Sequence, residues 1–497
     1  MSFLDYAKKI LNYTETENGD IAFESTGNAC LDYFYAAGAK RGDKRGALQL
    51  FIRAYLESPA TALKLLLYTR NIKGGLGERD LFRYCLNCLG QYEPNDALKI
   101  VPYIVEYGRY DDLLCLLYTP VEDAVLKIIR KQLDEDLANK KAGKPISLLA
   151  KWLPSINTNN WSARKTARYL AYKLDMTYAE YRKMLSFLRK GLILENNLRE
   201  KDYTFDYQSV PSAAMNNYRE AFLRNDEERF KQYLIDISAG KAKMNIAVLD
   251  IVNFIKRAGR EMTDLEMRDY YETAWKQLVD ESSFNSKTLV VRDGSGSMYM
   301  CPVDDYHTYP IDIANAITLL AASRLKGEFA DQFITFSADP EIVDLRKKKS
   351  LMDKLLYLRT FDDISNTNIE KVYQLVIDVY KRPDFKKEDA VDQIIIVSDM
   401  EFDCLEGRVI AGDERSTFEY FKDEFSKLGY KMPEVVFWNV DSRNGHAPVE
   451  ENEQGVKLVS GATKNILGLV MTTESMDPTD FMNKVLEQYA FIDKLFE

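Results

Sequence analysis

Histidine is almost missing from this chain: 497 residues contain two, His307 and His446. Neither stands in a metal-ligand or nucleophile motif, which removes the imidazole-based zinc and hydrolase readings. No Gly-x-Ser-x-Gly occurs, and no Gly-x4-Gly-Lys followed by Ser or Thr, so neither a nucleophile elbow nor a P-loop is present. Cysteine is sparse as well. Six in so long a chain do not make a disulfide framework. Cys85 and Cys88 have CxxC spacing, but LFRYCLNCL reads as helix, and no second pair completes a zinc site. No apolar run approaches the roughly 20 residues that span a bilayer. The first residues, MSFLDYAKKILNYTETENGD, lack the apolar block and small-residue cleavage site of a secretory signal. The expectation is a cytoplasmic protein that does not enter membranes.

What is present suits a large soluble protein: 46% hydrophobic, 29% charged and 12% aromatic residues. The length exceeds one compact core, so at least two domains are expected. The net charge of -10 hides a division. Residues 1–285 hold 42 Lys and Arg against 39 Asp and Glu, and residues 286–497 hold 25 against 38. The first part is slightly basic and the second strongly acidic, as two domains with different partners would be. Texture changes at the same place. Before it, helix follows helix: Ser58-Pro59 opens one, Thr177 with Glu180 opens another in a capping-box pattern, and Thr263 with Glu266 repeats that pattern. Helices of this length joined by short polar turns predict stacked helical hairpins, an all-α solenoid of HEAT-like repeats over 1–285. After it, apolar strands such as TLVVRD, DQFITFSA, VDQIIIVSD, EVVFWNV and VKLVSG alternate with helices. That alternation predicts an α/β domain over 286–497, with a parallel sheet covered on both faces.

Ligands of such sheets bind at the carboxyl ends of the strands, and three segments there offer oxygen. Asp293, Ser295 and Ser297 follow LVV directly. Thr367 precedes a helix, and Asp399 follows QIIIVS. A hard divalent cation, Mg²⁺ or Mn²⁺, takes about six such oxygens, some through water. These loops resemble the metal-ion-dependent adhesion site of von Willebrand factor A domains, whose ligand positions Asp293, Ser295, Ser297, Thr367 and Asp399 match. The resemblance implies a Rossmann-like fold and a metal with one position open for an acidic group of a partner. It implies a binding device and no catalytic residues.

TENGDIAFESTGNACLDYF, LKLLLYTRNIKGGLGERDLF, VEYGRYDDLL, LLAKWLPS and VSDMEFD are similar to an uncharacterised family that joins helical repeats to a C-terminal A domain. That family distantly resembles the TROVE-domain Ro ribonucleoproteins. The resemblance implies a monomer whose helical repeats close into a ring with the A domain and bind RNA. Residues 151–200 are the most basic window, with ten Lys and Arg against four Asp and Glu. Arg164, Lys165 and Arg168 lie on one predicted helix, and Arg182, Lys183, Arg189 and Lys190 form two ridges on the next. They are the candidate RNA-binding residues. Trp152 and Trp161 read as core. A second basic cluster, Arg70, Lys73 and Arg79, flanks Gly74-Gly75-Leu76-Gly77, where a phosphate cradle and a plain helix end fit equally well. The leading expectation is a non-catalytic RNA-binding protein. The alternative is an adaptor that captures protein partners through its metal.

Overall fold

Polar caps set where the helices of the first half begin. Asn28 accepts a hydrogen bond from Leu31 N at the head of α1 (Ala29–Ala36), and Asp43 does the same for Gly46 N at α2 (Lys44–Glu57). Helix α3 (Pro59–Arg70) opens on proline, which loses nothing at a first helical position. Then come α4 (Arg79–Tyr92), α5 (Glu122–Lys141), α6 (Trp161–Lys173, capped by Asn160) and α7 (Tyr178–Arg189). The capping box foreseen for α7 is present, with Thr177 and Glu180 each satisfying the other's backbone N–H. Shorter helices lie between these, and the longer Ser212–Asn225 and Glu227–Ser238 follow.

The computed structural model describes residues 12–15, 21–243, 252, 265–280, 287–303, 307–362, 368–400, 417–442 and 446–497. Thr263 and nearly all of the predicted helix NIAVLDIVNFIKRA lie outside the described residues.

Strands β1 (Tyr13–Glu15) and β2 (Ile21–Phe23) pair antiparallel. The second half builds a six-stranded sheet from β3 (Thr288–Asp293), β4 (Gln332–Phe336), β5 (Ile342–Asp344), β6 (Gln393–Ser398), β7 (Glu434–Asn439) and β8 (Val456–Ser460). The order is β5-β4-β3-β6-β7-β8. Strands β3, β4, β6 and β8 are buried end to end, as strands covered on both faces must be. The sheet is not wholly parallel, which corrects the expectation. Strand β5 returns antiparallel along β4, because the connection after Phe336 is too short for a crossover helix. Helix α8 (Pro310–Ala322) is buried along its whole length, and α9 (Ile369–Tyr380) packs mainly through its Val and Ile side.

The chain divides into two compact units that do not follow the change of texture. The first comprises Met1–Leu65, Gly74–Leu76 and Asp236–Ala490, so α1 and α2 belong with the sheet. The apolar α1 explains this, since seven of its residues are buried. Just beyond it, a Cβ on Gly38 would lie 2.7 Å from Gly461 Cα, a close approach that only glycine permits. Gly38 N donates to Ser460 Oγ at 3.0 Å, and Lys40 Nζ donates to Ser442 O at 3.0 Å.

The second unit comprises Leu66–Lys73, Gly77–Ile235 and Phe491–Glu497. A buried aromatic group, Tyr207, Phe222, Phe230 and Tyr233, packs one end of it. The C-terminal Phe491 meets Tyr103 with ring centroids 4.4 Å apart. Among the described residues, no helix is long and apolar enough to cross a membrane.

Candidate metal centre and nucleic-acid surface

Strands β3 and β6 are neighbours and parallel, so their carboxyl ends bring the segments after Asp293 and Ser398 together. Asp293 and Asp399 are both buried. Ser295 N donates to Asp293 Oδ1 at 2.9 Å, and Ser398 Oγ donates to Asp293 Oδ2 at 2.6 Å. The hydroxyls of Ser295 and Ser297 lie 2.9 Å apart. Ser398 was not singled out in the sequence, where it looked like the last residue of a strand. Burial, and after it the neighbouring Asp399 carboxyl, pushes the Asp293 carboxyl up to about 6, against the hydrogen bonds from Ser398 and Ser295. Thr367 lies outside the described residues.

The donors fit a hard divalent cation: two buried carboxylates whose mutual repulsion a cation would remove, with serine hydroxyls beside them. Among the described residues no three His, Cys, Asp or Glu side chains cluster as a metal site. Hydroxyls would therefore have to share the coordination, which suits Mg²⁺ or Mn²⁺ rather than zinc.

Beneath this loop lies a residue that sequence reading passed over. Arg292 is fully buried next to the end of β3, directly after the apolar run at 289–291. Its Nε donates to Asn315 Oδ1 on α8 at 2.8 Å, and its Nη2 pairs with Asp362, which also accepts from the Tyr299 hydroxyl. A Cβ on Gly294 would come within 3.1 Å of Arg292 Nη1 and 3.2 Å of Phe361 O, so a larger residue there would crowd the loop. A charge inside an apolar strand was the available signal.

The basic window divides on inspection. On α6, Trp161, Lys165, Arg168 and Tyr172 are all exposed, and their spacing places them along one helical face. Trp161 is 67% and Tyr172 73% exposed, so the expectation that Trp161 belongs to the core is corrected. As the first residue of α6, it has no preceding turn to pack against. Lys165 Nζ sits 5.5 Å from the Trp161 ring, and the Arg168 guanidinium 5.8 Å from the Tyr178 ring at the head of α7. Arg182, Lys183 and Lys190 are exposed, and Arg164 is half-buried.

Arg189 departs from the expected ridge. Its Nε donates to Ala150 O at 2.8 Å, and its other nitrogens reach Leu153 O and Ser155 Oγ. It ties α7 to the 150–155 segment by donating to two backbone carbonyls and a hydroxyl there. Trp152 is half-buried, with the Arg109 guanidinium 4.4 Å from its ring.

Cys85 is buried and Cys88 partly so, both on α4, and burial pushes the Cys88 thiol up. This is the inert pair expected of a helix face.

Residues 287–491 match a family described as Domain of unknown function (DUF7788). Residues 16–133 and 158–287 match a second, Domain of unknown function (DUF2828). An uncharacterized protein of Acanthamoeba polyphaga mimivirus is 29% identical over 524 residues, covering 96% of this chain and 88% of its own. Among solved structures, the Ro (RSR) protein of Deinococcus radiodurans is similar at a TM-score of 0.34 and 12% identity, over 90% of this chain and 92% of that one. Across both halves, the chain is similar to proteins described by domains of unknown function.

Proposed function

We propose that this is a non-catalytic RNA-binding protein whose helical unit carries the nucleic-acid surface. One observation carries the reading: Trp161, Lys165, Arg168 and Tyr172 stand in an exposed row on α6, continued by Tyr178 and Arg182 on α7. Single-stranded nucleic acid is bound by this combination, in which aromatic faces stack bases and cations follow the phosphates. Trp161 and Tyr172 are separated by about 16 Å along the helix axis, enough for bases to unstack between them. Structured duplexes offer no such faces, so strand ends and loops are the favoured targets. The test is binding of a single-stranded RNA at several salt concentrations, for the native chain and for a Trp161→Ala, Tyr172→Ala variant.

A second reading rests on the Asp293–Asp399 pair. A von Willebrand A-like domain would hold Mg²⁺ or Mn²⁺ through Asp293, Ser295, Ser297, Thr367 and Asp399, and take an acidic group of a protein partner as a further ligand. Divalent-ion titration of the native chain and of Asp293→Ala tests the metal. Loss of a captured partner on chelation tests the adaptor role. The described cysteines are all free, which suits the reducing cytoplasm.

A further inference from the structure

Arg70 and Arg83 pair through their side chains with the carboxylates of Asp111 and Asp112 in the second unit, and Arg109 joins them through its backbone N–H. Asp112 Oδ2 accepts from Arg70 Nε at 2.7 Å and from the backbone N of Arg109 at 2.8 Å, while Oδ1 takes Arg83 Nε at 2.6 Å. Arg83 also pairs with Asp111 at 2.6 Å. Gly108 makes the approach possible, since a Cβ there would fall 2.5 Å from Asp112 Oδ2 and 3.1 Å from Arg70 Cγ. Two arginine side chains thus take up the two acids. The unmatched charge rests with Arg109, whose guanidinium lies on the Trp152 ring and, among the described residues, donates to no acceptor. Arg70 is 2% exposed, and its Nη2 has no hydrogen-bond partner among the described residues. Burial, then the nearby Arg70, holds the Arg109 guanidinium below its ordinary range, against the opposing pull of Asp111 and Asp112 and with Arg79 as a smaller addition. A buried donor without an acceptor and cations gathered without a matching acid are each costly unless an anion enters.

We propose that Arg109, with Arg70 and Arg79 beside it, forms a binding site for a phosphate group, separate from the α6–α7 surface. Guanidinium forks match phosphate oxygens bidentately, and Trp152 holds the Arg109 fork in plane beneath the incoming oxygens. The site stands or falls independently of RNA binding. The phosphate has two sources of the same chemistry, a free mononucleotide or the phosphorylated end of a strand.

The experiment titrates inorganic phosphate into the full-length protein by calorimetry, comparing the native chain with Arg109→Ala, Arg109→Lys and, as a control on the other surface, Trp161→Ala. Saturable binding is expected in the native chain and in Trp161→Ala. In Arg109→Ala it should weaken on the order of tenfold or more. If Arg109→Ala melts abnormally, Arg109→Lys decides: it keeps the charge and the fold but loses the fork, and weaker binding is again expected. Absence of saturable binding in the native chain, or equal binding in the folded Arg109 variants, overturns the proposal. Competition by a mononucleotide, and by short strands with and without a 5′-phosphate, then identifies the source.

Discussion

The two candidate sites are built in opposite ways. At the ends of β3 and β6 the charges are inside: Asp293, Asp399 and Arg292 are buried, Asp293 accepting from a hydroxyl and a backbone N–H, and Arg292 held by Asn315 and Asp362. In the exposed row of α6 the charges of Lys165 and Arg168 are outside and lie against the rings of Trp161 and Tyr178. A buried acid pair is relieved by a cation or by taking up a proton, and a single small ion would suit the first arrangement. Exposed cations and rings cost the fold little, and a long flexible polyanion would suit the second. Damage to the first should therefore appear as lost stability, and damage to the second as lost affinity.

The largest expected effect is at Arg292. Arg292→Ala removes the partner of Asp362 and Asn315 from a fully buried position, and should destabilise the sheet unit by about 3 kcal/mol. A lowered melting transition checks it, and an unchanged one would break the contrast.

Next comes the metal. Mg²⁺ or Mn²⁺ at a hundred times its dissociation constant should stabilise the native chain by about 2.7 kcal/mol. Asp293→Asn should show no such gain in the same thermal scan.

Two arginines on one helix sharpen the comparison further. Arg189→Ala should cost about 1–3 kcal/mol of stability, because the carbonyls of Ala150 and Leu153 lose their donor. Arg182→Ala should leave the melt unchanged and weaken RNA binding, with a shallower dependence on salt. Denaturation and binding measured on both variants would separate the roles.

The smallest effect is that of pH. Asp293 is raised from its ordinary 3.8 to about 6, so the fold favours its protonated form. Without divalent ions, the contribution of this carboxyl to stability is greatest at low pH. It falls as pH rises from about 4 through 6 and is flat above. Relative to Asp293→Asn, the metal-free native chain should lose on the order of 1 kcal/mol between pH 5 and 7.5. Saturating Mg²⁺ should abolish that loss.

Much of the sheet was legible in the sequence because its strands are continuous apolar runs between turn-forming residues, a pattern that burial on both faces imposes. Strand β5 escaped because three residues, Ile342–Asp344, give no periodicity. The association of α1 with the sheet escaped because an apolar helix does not announce what it packs against. Asp293, Ser295, Ser297 and Asp399 could be placed at strand ends from the sequence, and as metal ligands they stay candidates, whereas Ser398 and Arg292 were hidden inside strands. On the helical side, charge was visible but direction was not. Arg182 and Arg189 look alike in a helical projection, and only the turn at 150–155 turns Arg189 inward. Trp161 was misjudged because aromatic residues are usually buried, and its place at a helix head overrides that tendency.

The most direct test is the salt dependence of single-stranded RNA binding by the native chain beside a variant with Trp161, Arg168 and Tyr172 changed to alanine. Binding that weakens steeply with salt in the native chain, and is lost in a variant with an unaltered melt, is the expected result. Absence of salt-dependent binding in the native chain, or equal binding by the variant, would contradict the RNA-binding reading.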